Sequence, residues 1–331
     1  MRTRKIGPFE VSAIGLGCMN MSMGYGPADE DESERLLQEA LDAGYTFLDT
    51  ASMYGMGHNE ELIGRVLAKR RSEFVLASKC GVSKGEDGGN VLNGRPEVLR
   101  RTCEESLRRL QTDVIDIYYL HRLDPDVPVE ESVGLLSELV AEGKIRTIGL
   151  SEVSTDSLRR AHAEHPVTAL QSEYSLWSRT PERRILEACR ELGVTFVPFS
   201  PLGRGFLTGK AVDVTRMTED DLRSTIGRPR FEPDNFQRNS KLLVPFAEIA
   251  EALECTMAQL SLAWLLAKAD GTLVPIPGTK HMSYMLENAA AADISLDESV
   301  VRELDQLINE ERVAGTRYTA ELMESIDSER D

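Results

Sequence analysis

The sequence predicts an α/β protein folded as a single (β/α)8 TIM barrel, and three observations carry that reading. Short, near-continuous apolar segments alternate with amphipathic helical ones, as expected for strands covered on both faces. Eight such strand-like segments occur in the chain, enough for a closed parallel barrel. Four chemically capable residues, Asp49, Tyr54, Lys79 and His121, stand at or just past the C-terminal ends of three of them. In a parallel barrel those ends converge on one mouth, where an active site sits. An acid, a phenol, an amine and an imidazole gathered there could make a proton-donating device.

Taken in order, residues 1–12 suggest a hairpin around Gly7-Pro8, placed to plug the bottom of the barrel. The expected strands are AIGLGC (13–18), TFLD (46–49), FVLASK (74–79), VIDIYYL (114–120), IRTIGL (145–150), TALQ (168–171), TFVPFS (195–200) and TLVPIP (272–277). Helical signals fall between them. LLQEAL (36–41) stops at Gly44, and Pro96 opens a stretch running to Leu110. Pro128 opens another that ends at Gly143, and Thr180-Pro181 starts one that ends at Gly193. Proline at the first turn and glycine just past the last is the usual asymmetry of helix ends.

Two stretches break the rhythm. Residues 201–235, rich in Gly, Pro and Arg, follow the seventh strand directly at the mouth, where a long loop is expected to be functional. The acidic end of the chain, residues 318–331 with ELMESIDSERD at its close, is expected to be a solvated tail.

Composition sets the limits. The 331 residues are 41% hydrophobic, enough for one large core, and carry a net charge of −17. That charge argues against nucleic acid or an anionic membrane surface as a partner. There is no run of about 18 apolar residues, so no membrane span is expected. The opening MRTRKIGPFEVSAIG lacks the apolar core of a signal peptide. Five cysteines, an odd count without CxxC, read as reduced thiols and point to the cytoplasm. The five histidines offer no HExxH or Cys/His spacing, so no metal is expected. No GxGxxG follows a strand, so a Rossmann dinucleotide site is not indicated.

The chain resembles the aldo-keto reductase superfamily nearly end to end. The segments that carry the resemblance are GYTFLDTASMYG (44–55), LASKCG (76–81), DIYYLHR (116–122), GKIRTIGLSEVS (143–154), LQSEYSLWSR (170–179), FSPLGRGFLTGK (199–210) and IPGTKHMSYMLENAAA (276–291). GLSEVS, SEYSLW and SPLGRGFLTG look most like the branch of plant auxin-induced-like reductases and perakine reductase. The resemblance implies an oxidoreductase that uses NADPH (NADP+) to reduce aldehydes, with some ketones as a further class. Tyr54 would be its general acid and Asp49, Lys79 and His121 the supports. A free tyrosine has a pKa near about 10, and an ammonium beside it favours the phenolate. Lys79 is therefore expected to lower the pKa of Tyr54, Asp49 to hold Lys79, and His121 to orient the substrate oxygen.

The same resemblance implies a cofactor site. Ser151 and Gln171 match positions that bind the carboxamide. Glu152 stands where relatives commonly have Asn, and is expected to accept from the carboxamide NH2. Phe199 takes the place of a tyrosine that stacks on the nicotinamide, and its aromatic face is retained. Ser200, Leu202, Gly203 and Arg204 match the loop over the pyrophosphate, with Arg204 expected near its charge. Gly278, Thr279 and Lys280, at the start of a helix, would take a 2′-phosphate. Glu287 and Asn288 would hold the adenine. Tyr284 and Gly278 replace a frequent Arg and Lys, and Lys280 is expected to compensate for both. Met53, Trp177 and the 201–235 loop are candidates for the substrate pocket. The rival reading is a cofactor-sensing regulatory subunit on the same barrel, like channel β-subunits. The lack of an extra N-terminal segment weighs against it.

Overall fold

A computed structural model of the protein describes residues 1–85, 89–210, 214, 217–218, 221–269 and 272–331. Parts of the expected 201–235 loop (211–213, 215–216 and 219–220) lie outside the described residues.

The chain opens with an antiparallel hairpin of β1 (Thr3–Ile6) and β2 (Phe9–Ser12). Ile6 and Val11 from this hairpin enter the inner cluster of the barrel, beside Phe47, Ile117 and Val197. The Lys5 carbonyl accepts from the Thr195 hydroxyl (3.3 Å) at the start of a barrel strand, so the hairpin lies across the N-terminal end of the barrel.

Seven parallel strands follow: β3 (Leu16–Gly17), β4 (Phe47–Asp49), β5 (Val75–Cys80), β8 (Ile115–Leu120), β9 (Ile145–Ser151), β10 (Val167–Glu173) and β11 (Thr195–Phe199). They lie in one sheet in that order, while β6 (Val82–Lys84) and β7 (Asn90–Leu92) form a small separate hairpin. All six residues of β8 are buried, as a strand covered on both faces requires.

The expected eighth strand is extended but does not form a regular ladder. Pro275 and Pro277 have no N–H to give, so the segment bonds by alternate groups. Val274 and Ile276 donate to the carbonyls of Phe196 and Pro198 in β11 (3.2 and 3.0 Å). The carbonyls of Pro275 and Pro277 accept from Gly15 and Gly17 (2.9 and 3.2 Å). This segment is the eighth stave, and it closes the barrel between β11 and β3.

The outer layer is helical. Helices α1 (Glu30–Asp42), α2 (His58–Leu67), α3 (Pro96–Leu110), α4 (Val129–Ala141), α5 (Thr155–Glu164) and α6 (Ile185–Leu192) pack side by side in chain order. Asp29 caps α1 by accepting from the Glu32 N–H (2.7 Å). Pro96 opens α3 as expected, whereas Pro128 sits just before α4 as its cap residue. The region after β11 is not a plain loop. It contains a 3-10 turn (Gly203–Thr208), then α7 (Arg228–Phe231) and α8 (Pro233–Ser240). Helices α9 (Leu243–Ala252), α10 (Met257–Ala267), α11 (Met282–Ala290), α12 (Glu298–Leu307) and α13 (Ala320–Ser325) complete the chain.

The end of the chain is not a solvated tail. Tyr318, Ile326 and Asp327 are buried. The Asp327 carboxylate accepts from the Ser154 N–H (2.7 Å), and the Asp331 side chain accepts from the N–H (3.0 Å) and hydroxyl (2.9 Å) of Thr155. Acidic groups at the start of α5 meet its unsatisfied N–H groups and the positive end of its dipole, which is why an acidic tail docks there.

Helix α2 reaches α3 only because of Gly64. A β-carbon at this position would lie 2.2 Å from the Arg109 carbonyl oxygen. Gly64→Ala is expected to destabilise the protein by about 1–3 kcal/mol, the usual cost of overpacking. Chemical denaturation checks this. A change under about 0.5 kcal/mol, typical of a free surface site, would contradict the close packing.

Candidate active site

The mouth is assembled by the ends of parallel strands. Asp49 is the last residue of β4, Lys79 lies one residue from the end of β5, and His121 follows β8 directly. Ser151 ends β9 and stands in register with Gln171 on β10. Tyr54 lies in a tight turn after β4 (Tyr54–Gly57), whose Gly55, Met56 and Gly57 all have left-handed backbone (φ 57, 55 and 97°).

The four residues picked from the sequence come together. The Lys79 ammonium is fully buried and donates to Asp49 Oδ1, to the Thr50 carbonyl (2.8 Å) and to the Tyr54 hydroxyl (3.3 Å). It also lies 5.0 Å from the centre of the Tyr54 ring. His121 meets Tyr54 edge-on, with centroids 5.9 Å apart at 82°. Asp49 uses its second oxygen to accept from Gln171 Nε2 (2.7 Å).

Burial and charge set the protonation of this group. Burial opposes the charge on Lys79, but Asp49 and Tyr54 outweigh it, so Lys79 is held above its ordinary value. Burial pushes the Tyr54 phenol up, and Lys79 takes back only part of the rise. The expectation that Lys79 would lower this pKa is therefore reversed in net effect. Burial, then Arg122 and Lys79, push His121 well below 6.5, so its imidazole is neutral. Burial also pushes up the thiol of Cys80, which disfavours the reactive thiolate.

The turn under Tyr54 is braced by residues that the sequence reading left out. The Thr50 hydroxyl donates to Asn59 Oδ1 (2.6 Å), and Asn59 Nδ2 donates to the Cys18 carbonyl and the Ser22 hydroxyl (2.8 Å each). Arg122 donates to the His121 carbonyl (2.6 Å) and to the Ser151 hydroxyl (3.0 Å). The position of Asn59 at the start of α2, five residues past Tyr54, was the only sequence signal for it.

The residues expected to hold a cofactor divide into two groups. Ser151, Gln171 and the half-buried Phe199 line the mouth beside the four residues above. Ser200, Gly203, Arg204 and Gly205 all have positive φ (48, 58, 57 and 90°), so the chain after β11 winds into a tight turn behind Leu202. Gly203 is required there, since a β-carbon would lie 2.6 Å from Trp177 Nε1. Trp177 itself is core, stacked on Phe206 at 4.2 Å. Gly278 pairs with Gly17, and the Thr279 hydroxyl accepts from the His281 N–H (3.0 Å) just before α11. On α11, Asn288 is buried and Glu287 lies 3.5 Å from Lys210.

Three expected ligand residues are engaged elsewhere. The Glu152 carboxylate accepts from Arg317, the Ser328 hydroxyl (2.8 Å) and the Glu173 N–H (2.8 Å). Burial would raise its pKa, but Arg317 and Arg122 pull it down to about 2. Arg204 is buried, donating to Glu173 (2.8 Å) and to the Arg317 carbonyl (2.6 Å). Lys280 donates to the carbonyls of Tyr25, Gly26 and Pro27 (2.9, 3.3 and 2.6 Å). In each case a buried or rim charge found a partner distant in sequence. Among the described residues, no group of three or more His, Cys, Asp or Glu side chains could hold a metal ion.

Comparison with known proteins fits this geometry. Residues 13–309 match the Aldo/keto reductase family. The NADP(+) aldo-keto reductase yakc of Schizosaccharomyces pombe is 44% identical over 322 residues, covering 96% of this chain and 94% of that protein. A probable aldo-keto reductase of Glycine max is 42% identical, covering 94% and 89%. Among solved structures, a glycerol dehydrogenase from Gluconobacter oxydans is similar with TM-score 0.83, 28% identity and coverage of 98% and 96%. An aldo/keto reductase from Klebsiella pneumoniae in complex with NADP and acetate is similar with TM-score 0.73, 29% identity and coverage of 95% and 99%.

The neutral His121 predicts a pH dependence. The unfolded chain binds a proton at this residue below its ordinary 6.5, and the folded chain does not. Stability should therefore fall as pH drops below 6.5, with a slope of at most about 1.4 kcal/mol per pH unit from this group. His121→Asn is expected to flatten that part of the curve in denaturation measured between pH 7 and 5. An unchanged slope would mean that His121 is protonated in the fold.

Proposed function

Because the chain belongs to the aldo/keto reductase family, we propose that it is an NADPH-dependent reductase of aldehydes, and of some ketones, with Tyr54 as the general acid. The observation that carries this reading is where the three protons of Lys79 go. An ammonium has three donors and no acceptor. Those of Lys79 meet Asp49, the Thr50 carbonyl and the Tyr54 oxygen. Tyr54 therefore accepts from Lys79, and its own O–H is left to donate to a substrate oxygen at the mouth.

The residues present fit a nicotinamide cofactor. Gln171 gives one N–H of its amide to Asp49, which leaves its side-chain carbonyl oxygen, with the Ser151 hydroxyl, for a carboxamide. Phe199 offers a half-buried aromatic face beside them. Ser200, Leu202 and Gly203 form the turn for a pyrophosphate, and Thr279 and the start of α11 would take a 2′-phosphate. Glu287 and Asn288 would hold the adenine. Glu152, Arg204 and Lys280 leave the proposed ligand set, since the first two are spent on internal ion pairs and the third on the carbonyls of Tyr25, Gly26 and Pro27. The NADP named for the yeast relative and for the Klebsiella complex supports NADPH as the cofactor here.

The reduced nicotinamide, when bound, supplies the hydride to the carbonyl carbon. Tyr54 gives its proton to the carbonyl oxygen. A phenol kept above its ordinary pKa by burial stays protonated until the oxygen gains negative charge. The phenolate then left beside Lys79 is stabilised by the ammonium, which Asp49 keeps charged. His121, neutral, can donate a ring N–H to the same oxygen and orient the substrate without adding a cation.

The test is Tyr54→Phe. NADPH binding, followed by fluorescence quenching, should be unchanged, and kcat on an aldehyde panel should fall by about 10²–10⁴, the usual contribution of a general acid. A variant that keeps more than half of the wild-type kcat, in an assay limited by chemistry, contradicts the assignment.

A further inference from the structure

We propose that Arg317, on the strap of chain that packs against the ends of β9 and β10, is a positioning residue for the nicotinamide end of the site. It would act through Glu152 and Arg204. This inference rests on the function proposed above and concerns residues outside the proposed ligand set.

The backbone at Ser151–Glu152 is held in place by the end of the chain. Glu152 has left-handed backbone (φ 56°), a conformation that a residue with a side chain adopts only when its surroundings hold it there. Its N–H donates to the Gln171 carbonyl (3.0 Å), and its own carbonyl accepts from the Ser328 N–H (3.2 Å). Its carboxylate is fixed by Arg317, Ser328 and the Glu173 N–H. Ser151 and Gln171, the proposed carboxamide partners, therefore sit on either side of an anchor made in part by the end of the chain.

Arg317 also reaches the turn after β11, two strands along the rim from β9. Its carbonyl accepts from Arg204 (2.6 Å), in the turn proposed to cover the pyrophosphate. Arg204 in turn pairs with Glu173 (2.8 Å), and Arg317 lies 3.8 Å from the same carboxylate. Glu329, from the same strap, pairs with Arg317. One guanidinium thus sits between the carboxylates that follow β9 and end β10. With its charge removed, Glu152 would lose its ion-pair partner while Glu173 keeps Arg204 and, at 3.7 Å, Arg230, and the floor beneath Ser151 would lose its registration with the turn at 200–205. A guanidinium fork suits this role, since it holds several carboxylates in fixed directions.

The experiment compares Arg317→Met, Arg317→Lys and the double variant E152Q/R317M with the wild type. All are measured where circular dichroism shows them folded. Dissociation constants for NADPH and NADH, release rates, and hydrogen exchange without cofactor at 150–153 and 200–206 are read beside the thermal midpoint. Removing one charge of a buried pair is strongly destabilising, whereas removing both restores much of the stability. The double variant therefore separates position from stability. The expected result is about a tenfold weaker affinity for both cofactors in R317M and in the double variant. Exchange should be faster at both segments, with partial recovery in Arg317→Lys. A loss below threefold in the double variant overturns the proposal, because the strap is then a brace for stability alone. If neither variant folds, Ser328→Ala decides by the same threefold criterion, since it loosens Glu152 without leaving a charge unpaired. If the wild type binds no nicotinamide cofactor, the functional reading fails by itself. Hydrogen exchange in the double variant then decides the strap, with unchanged rates at both segments overturning it.

Discussion

The Lys79 ammonium is buried at the centre of the barrel mouth, and the arrangement around it follows from the need to match its charge. Leaving one such charge unpaired costs about 3–5 kcal/mol. Asp49 supplies the counter-charge, the Thr50 carbonyl takes the second proton and the Tyr54 oxygen the third. Those three contacts tie β5 to the end of β4 and to the turn that follows it. Asp49 then recruits Gln171 from β10, across the mouth. Met56, exposed and left-handed, bears a backbone cost of about 1–2 kcal/mol in that turn. The Asn59 network holds the turn in place, and the position of the phenol follows from both.

A second set of buried charges organises the opposite rim. Glu152 follows β9 and Glu173 ends β10, and Arg204, Arg230 and Arg317 neutralise them. The two sets differ in what they leave available. Around Lys79 every donor is used, so the free proton is the one on Tyr54. Around Arg317 the charges satisfy one another, and what is fixed is the backbone that carries Ser151 and the turn after β11. In the proposed function the first set serves proton chemistry at the mouth. In the proposal for Arg317 the second set fixes the geometry of the surface next to it.

The barrel and the four residues at its mouth were legible in the sequence for a physical reason. Parallel strands buried on both faces read as unbroken apolar runs, and a polar residue closing such a run stands out. Asp49, Lys79 and His121 each do so. What the sequence did not show depends on distant pairing. Glu152 meets Arg317 across 165 residues, Arg204 meets the carbonyl of Arg317 across 113, and Lys280 meets Pro27 across 253. No local pattern marks such partners, so each looked like a free charge suited to a ligand. The acidic end looked solvated for the same reason, because its value as a cap for α5 exists only once α5 is beside it. The stave at 272–277 was found by its apolar content, but its two prolines changed how it bonds. The net direction of the Tyr54 shift was also out of reach, since it depends on how deeply the phenol is buried.

The central claim is that Asp49 keeps the buried Lys79 charged, so that Lys79 can bond the Tyr54 oxygen and stabilise a phenolate. Nitrogen NMR of lysine labelled at Nζ measures this directly through a pH titration of the Lys79 signal. Lys79 should stay an ammonium past the ordinary lysine value of 10.5 in the wild type, and lose its proton at lower pH in Asp49→Asn. A Lys79 signal that titrates below 10.5 in the wild type, or is unmoved by Asp49→Asn, would contradict it.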